Sequence, residues 1–100
     1  MTAPVDPRVI GDLWSVICER AAHPNEESYT SRLLNDKKGI DKVLEKVGEE
    51  STEFILAVKN GVNERTVEET ADLLFHLLVA LRAAGVDLAD VLRELEHRRK

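Results

Sequence analysis

Two acidic tetrads of one layout, Glu49-Glu50-x-x-Glu53 and Glu68-Glu69-x-x-Asp72, stand out as residues that could do chemistry. In a helix, positions three and four apart share a face, so each tetrad stacks its carboxylates one above another. Like charges so placed cost a helix roughly 0.2–0.5 kcal/mol per pair, and repeating them beside apolar runs calls for a compensating positive charge. A hard divalent cation with oxygen ligands supplies one. The register agrees: counted from Gly61, Glu50 and Asp72 are each 11 positions away, and Glu53 and Glu69 each 8. A helical hairpin closed at Gly61 would bring the tetrads level.

At a rise of about 1.5 Å per residue, Glu53 lies roughly 10 Å before an Asn60-Gly61 break and Glu69 a similar distance after it. Helix axes about 8–10 Å apart would let these two converge on an ion, with Glu50 and Asp72 as a second layer one turn away. The all-oxygen set favours magnesium, with manganese as a substitute. A di-iron bundle would place Glu-x-x-His on two helices, whereas these tetrads end in Glu53 and Asp72. His76, four residues after Asp72, reads as a hydrogen-bonded core histidine in preference to a group supporting the ion.

Magnesium keeps waters and recruits phosphate oxygens, which points to phosphate-ester or anhydride chemistry. Lys42 and Lys46 lie on the turns leading to Glu49 and Glu50, and Lys37 and Lys38 precede them, so lysines could hold phosphate oxygens beside the metal. Equally, Lys42 and Lys46 could pair with Glu45, Glu49 and Glu50 on a solvated face. A single tetrad would read as such a face, and Glu64, Glu68 and Glu69 also suit a helix N-terminus. The matched pair favours the metal. Cys18 sits in an apolar pattern with no evident base and reads as an inert buried thiol. Ser28, Thr30 and Ser31 have no fixed relation to a His–Asp pair, and there is no glycine-rich phosphate loop.

The elements that must position these groups are helices. A first helix is predicted after Asp6, with Pro7 at its first position and Val9, Ile10, Leu13, Trp14 and Ile17 at helical spacing, ending before Pro24. Ser28 caps a short helix with Leu33 and Leu34, closed by Lys37, Lys38 and Gly39. Residues 40–60 form a long helix whose apolar positions are Ile40, Val43, Leu44, Val47, Phe54, Ile55 and Val58. The next runs from near Asn63 to Ala84 with Gly85 closing it, and its stretch from Leu73 to Leu81 is apolar almost all round, as expected of a central helix surrounded by others. Asp87, with Asp90 completing an imperfect capping box, starts a last helix carrying Leu88, Val91, Leu92 and Leu95. No strand-like alternation competes.

The fold expected is therefore all-α, a bundle of about five helices in one domain over residues 1–100. The chain has 100 residues, 43% hydrophobic and 33% charged, and so small a helical domain gains by pairing with a copy of itself. A homodimer completing a four-helix core is the expectation. A net charge of −5 and a pI near 5.2 argue against nucleic acid as a partner. The His97-Arg98-Arg99-Lys100 run complements a helix end. The lone Cys18 permits no intrachain disulfide or paired-cysteine zinc site and suits a reducing cytoplasm. Met1 to Arg8 lacks a signal-peptide pattern, and no apolar run is long enough for a membrane span, so no membrane is expected.

Taken together, Ser28-Tyr29-Thr30-Ser31-Arg32-Leu33-Leu34, Lys46-Val47-Gly48-Glu49-Glu50-Ser51-Thr52-Glu53, Lys59-Asn60-Gly61 and the run from Glu68 to Leu78 resemble the phosphoribosyl-ATP pyrophosphohydrolase family of histidine biosynthesis. The likeness covers residues 26–97, with 1–25 as an N-terminal helical extension. The tetrads alone mark the wider all-α MazG-like nucleotide pyrophosphohydrolases. The resemblance implies magnesium-dependent hydrolysis of phosphoribosyl-ATP to phosphoribosyl-AMP and pyrophosphate, the second step of the pathway, by an α-helical homodimer. Carried over by position, it implies Glu50, Glu53, Glu69 and Asp72 as metal ligands and Glu49 and Glu68 as outer-sphere or additional ones. Water would attack the α–β phosphoanhydride, Glu49 or Glu50 would accept its proton, and Lys42 and Lys46 would hold the phosphates. A second domain for the following, zinc-dependent step is not expected in a chain of this length. The rivals are a MazG-like nucleoside triphosphate pyrophosphohydrolase and a non-catalytic helical interaction protein.

Overall fold

A computed structural model describes residues 4–99; Met1 to Ala3, and with them the start of the expected N-terminal extension, lie outside the described residues, as does Lys100 of the basic run. Five helices follow in order: α1 Val9–Ala22, α2 Tyr29–Leu34, α3 Ile40–Asn60, α4 Asn63–Ala84 and α5 Leu88–Arg98. No strand occurs among the described residues.

Local chemistry sets most of the boundaries. Asp6 Oδ1 accepts from the Arg8 N–H at 2.9 Å and the Asp6 carbonyl from the Val9 N–H at 3.1 Å, so Pro7 and Arg8 form a capped turn and α1 begins two residues later than Pro7. Ser28 Oγ accepts from the Ser31 N–H at 3.2 Å and starts α2. That helix stops at Leu34, and Lys37, Lys38 and Gly39 form the turn into α3 instead of closing α2. Gly39 there adopts φ 64° and ψ −141°, a conformation open essentially to glycine alone. Gly85 closes α4 with Val86 N–H bonded to the Leu81 carbonyl and Gly85 N–H to that of Arg82, a Schellman closure. Asp87 caps α5 by accepting from the Ala89 N–H at 3.0 Å. The reciprocal half of the expected capping box does not form, because the Asp90 carboxylate pairs with Arg93.

α3 and α4 are joined by Gly61 and Val62 alone, which forces an antiparallel hairpin that dominates the packing. The shorter helices gather at its open end. There Ile17 of α1, Leu33 of α2, Val43 of α3, Leu78 and Val79 of α4 and Leu88 of α5 make the buried core, with Trp14, Phe75 and Leu81 packed around it. The closed end has no such cover: Ile55, Leu56, Val58, Val62 and Val67 are exposed, Ile55 by 61% and Val67 by 69%. The radius of gyration, 14.8 Å, exceeds the about 13 Å of a compact chain of this length.

Two sequence expectations are corrected by this arrangement. The second half of α4 is not enclosed all round, since Leu74 and Leu77 are exposed. Leu74 and Ala71 line, with Val9, Ile10 and Leu13 of α1, an apolar groove of about 210 Å³. On α3, Ile40, Leu44, Ile55 and Val58 likewise face solvent. The hairpin carries more apolar surface than one chain's three short helices can bury. No helix among the described residues is long and apolar enough to cross a membrane.

Candidate functional site

The buried residues of α3 are Val43, Glu50 and Ala57, seven apart, and those of α4 include Glu69 and, seven later, His76. Two glutamates therefore occupy seam positions where two packed helices would ordinarily carry apolar side chains. Glu50 is 7% exposed and Glu69 4%. With the exposed Asp72, one turn on from Glu69, each offers a carboxylate oxygen, and the three oxygens lie within 4.8 Å of one another.

Removing carboxylates from water is unfavourable by several kcal/mol per ion unless charge and hydrogen bonds compensate. Compensation here is one-sided. Lys46 Nζ stands 3.5 Å from Glu50 Oε1 and 3.1 Å from Glu49 Oε2. Arg65 Nη2 stands 2.9 Å from Glu69 Oε1, and its Nη1 3.3 Å from Glu68 Oε1. The other oxygens of the deep pair, Glu50 Oε2 and Glu69 Oε2, are buried without a partner, the two such side-chain atoms among the described residues. Elsewhere buried polar groups are satisfied: Ser31 Oγ donates to the Arg20 carbonyl at 3.0 Å and accepts from the Asn25 N–H at 3.1 Å.

The electrostatics carry the same imbalance. Burial pushes the Glu69 carboxyl above the usual glutamate range; the adjoining Glu53 carboxyl adds to the shift, Arg65 opposes it, and Asp72 adds further. Lys46 is raised, chiefly by its hydrogen bond to Glu49, against burial, with the Tyr29, Glu49 and Glu50 charges adding. Orphaned inward oxygens, an all-carboxylate donor set and a surplus of negative charge fit a hard divalent cation such as magnesium.

The structure thus brings Glu50, Glu69 and Asp72 together, with Glu53, itself exposed, against Glu69. Glu49 and Glu68 point outward, tied to Lys46 and Arg65. Lys42 and Lys46 are half-buried, whereas Lys38 is drawn to Glu45 at 3.2 Å. Cys18 is half-buried instead of buried, beside Trp14 and Arg82. A cavity of about 510 Å³ between Pro24 and Asn35 holds none of these carboxylates, and its Arg32 and Asn35 already donate to backbone carbonyls.

Two neighbours of the site were not singled out from the sequence. Arg65 is one, although its spacing to Glu68 and Glu69 repeats that of Lys46 to Glu49 and Glu50. Tyr29 is the other. Its hydroxyl is 2.8 Å from His76 Nε2, while His76 Nδ1 is 2.8 Å from the Asp72 carbonyl. A carbonyl only accepts, so Nδ1 carries the proton and Nε2 accepts from the Tyr29 hydroxyl. His76 is thus a satisfied buried histidine. Burial raises the Tyr29 phenol; Lys46 opposes this, while Glu50, Glu49 and Asp72 add to it.

A family model described as phosphoribosyl-ATP pyrophosphohydrolase matches residues 10–99. A phosphoribosyl-ATP pyrophosphatase of Methanoregula boonei is 79% identical over 97 residues, 97% of this chain and 93% of that protein. One of Methanoculleus marisnigri is 63% identical, covering 95% of this chain and 98% of that protein. The histidine biosynthesis bifunctional protein HisIE of Gloeobacter violaceus is 50% identical over 91% of this chain, which spans 40% of that longer protein.

Proposed function

The chain belongs to the phosphoribosyl-ATP pyrophosphohydrolase family, enzymes that hydrolyse a phosphoanhydride, and from that premise we infer that it converts phosphoribosyl-ATP to phosphoribosyl-AMP and pyrophosphate with magnesium, the second step of histidine biosynthesis. The observation that carries the metal reading is the pair of buried, unpartnered oxygens Glu50 Oε2 and Glu69 Oε2, on two glutamates that each bring a carboxylate oxygen within 4.8 Å of the other's and of one from Asp72. Glu50, Glu69 and Asp72, with Glu53, would hold the ion, and Glu49 and Glu68 stand outside them. Magnesium, or manganese in its place, supplies Lewis-acid charge to phosphate oxygens when bound.

The chain's own groups divide the remaining work. Lys46, with Lys42 one turn before it, holds phosphate oxygens of the substrate. A water oxygen bonds to the α-phosphorus, the bond to the oxygen bridging to the β-phosphorus breaks, and pyrophosphate leaves with that oxygen. Glu49 or Glu50 takes the water's proton. The burial of Glu50 and Glu69 strengthens the interactions made by those two carboxylates.

We place the active unit in the cytoplasm as a homodimer, one domain per chain. The bare Ile55, Leu56, Val58 and Val67 and the α1–α4 groove suit a second copy, whose hairpin would complete a four-helix core. The direct test is product analysis after incubation with phosphoribosyl-ATP and magnesium. Phosphoribosyl-AMP and pyrophosphate in equal amounts support the reading. Turnover of common nucleoside triphosphates with none of phosphoribosyl-ATP would replace it with a MazG-like housekeeping activity.

A further inference from the structure

We propose that Arg65 is a positioning residue for the metal centre: it holds Glu69 Oε1 so that the buried Oε2 is the one oxygen this glutamate can offer a divalent cation. The inference rests on the metal reading above and deepens it. Nη2 lies 2.9 Å from Glu69 Oε1 and Nη1 3.3 Å from Glu68 Oε1, so one planar guanidinium spans both carboxylates. The Glu68 contact is a hydrogen bond and the Glu69 contact an ion pair; a planar guanidinium anchored in this way sets its charge against Glu69 Oε1 in a fixed direction, which a lysine's freely rotating ammonium does not. With Oε1 engaged, Glu69 is a one-oxygen ligand. That suits magnesium, whose octahedral shell is small and retains several waters.

The arrangement on α3 is the same in outline and looser in detail. Lys46 reaches Glu50 Oε1 at 3.5 Å and spends its shorter bond, 3.1 Å, on Glu49. Each deep glutamate therefore has a cation four residues earlier on one oxygen and neither a cation nor an N–H donor on the other. Arg65 is itself 58% exposed, so its replacement removes little packing; what it removes is the hold on Glu69.

The test is Mn²⁺ binding to the metal-free full chain, read from the loss of the free-ion electron paramagnetic resonance signal, with helical circular dichroism as the check on folding. Removing a residue that orients a metal ligand typically weakens the metal by about 10–100-fold. Arg65→Gln is expected to fall in that range and Arg65→Lys to recover part of the loss, while Arg98→Gln, on a distant exposed pair with Glu94, binds like the wild type. If Arg65→Gln binds Mn²⁺ as tightly as the wild type or more so, Arg65 is a bystander or a competitor and the inference is wrong, though the metal centre stands. A wild type that binds no Mn²⁺ removes the metal reading and this inference with it.

Discussion

The Tyr29 hydroxyl donates to His76 Nε2 at 2.8 Å, and that bond ties α2 to α4 one turn beyond Asp72. Tyr29→Phe leaves a buried ring nitrogen without its partner, which costs about 1–3 kcal/mol. Urea unfolding of the metal-free protein should show a loss in that range. A variant as stable as the wild type would mean that water replaces the hydroxyl.

Metal and carboxylate should act on stability in opposite senses. Magnesium at a hundredfold excess over its Kd should stabilise the wild type by about 2.7 kcal/mol. Glu50→Gln should raise the melting temperature of the metal-free protein, since it removes a buried charge whose Oε2 has no partner, and should abolish the magnesium increment. Thermal melts of both proteins with and without magnesium test both halves.

The acid limb follows from Glu69, whose folded pKa is raised by burial and by Glu53. The folded chain then binds more protons than the unfolded one between the two pKa values, so stability falls as pH rises through that window and levels off above the folded value. Metal-free protein should gain stability when acidified from neutral into this window. Magnesium, which needs the ionised carboxylate, should bind more weakly there. Melts and metal titrations across the range would show both slopes.

Dimerisation is read from surface left bare by the fold. Ile55 and Val67, exposed in the single chain, would be buried against a second hairpin, and Ile55→Glu would place a charge in that interface. Sedimentation should give twice the 11.2 kDa chain mass for the wild type and the single mass for the variant. A monomeric wild type would contradict the reading.

The helices were legible because their stop and start signals are local: Ser28, Gly61, Gly85 and Asp87 sit where the sequence puts them. Lys37 to Gly39 misled because a glycine after basic residues looks like a helix end, while Gly39 in fact turns the chain into α3. The exposure of Leu74, Leu77 and Ile55 was illegible because a periodic apolar pattern marks a face to be covered without saying by which chain. The acidic cluster was visible in the register about Gly61. Which carboxylates lie deep was not, since depth depends on which stripe of each helix meets the other, and the role of Arg65 follows only once Glu69 is known to be buried.

The central claim is that Glu50, Glu69 and Asp72 form a magnesium site on which hydrolysis depends. Pyrophosphate release from phosphoribosyl-ATP, measured across a magnesium titration for the wild type and Glu50→Gln, tests it most directly. The account predicts release that saturates with magnesium in the wild type and is reduced by at least about a hundredfold, a loss near 2.7 kcal/mol of transition-state stabilisation, in a folded Glu50→Gln. Equal release by the two proteins, or wild-type release that persists in a metal chelator, would contradict it.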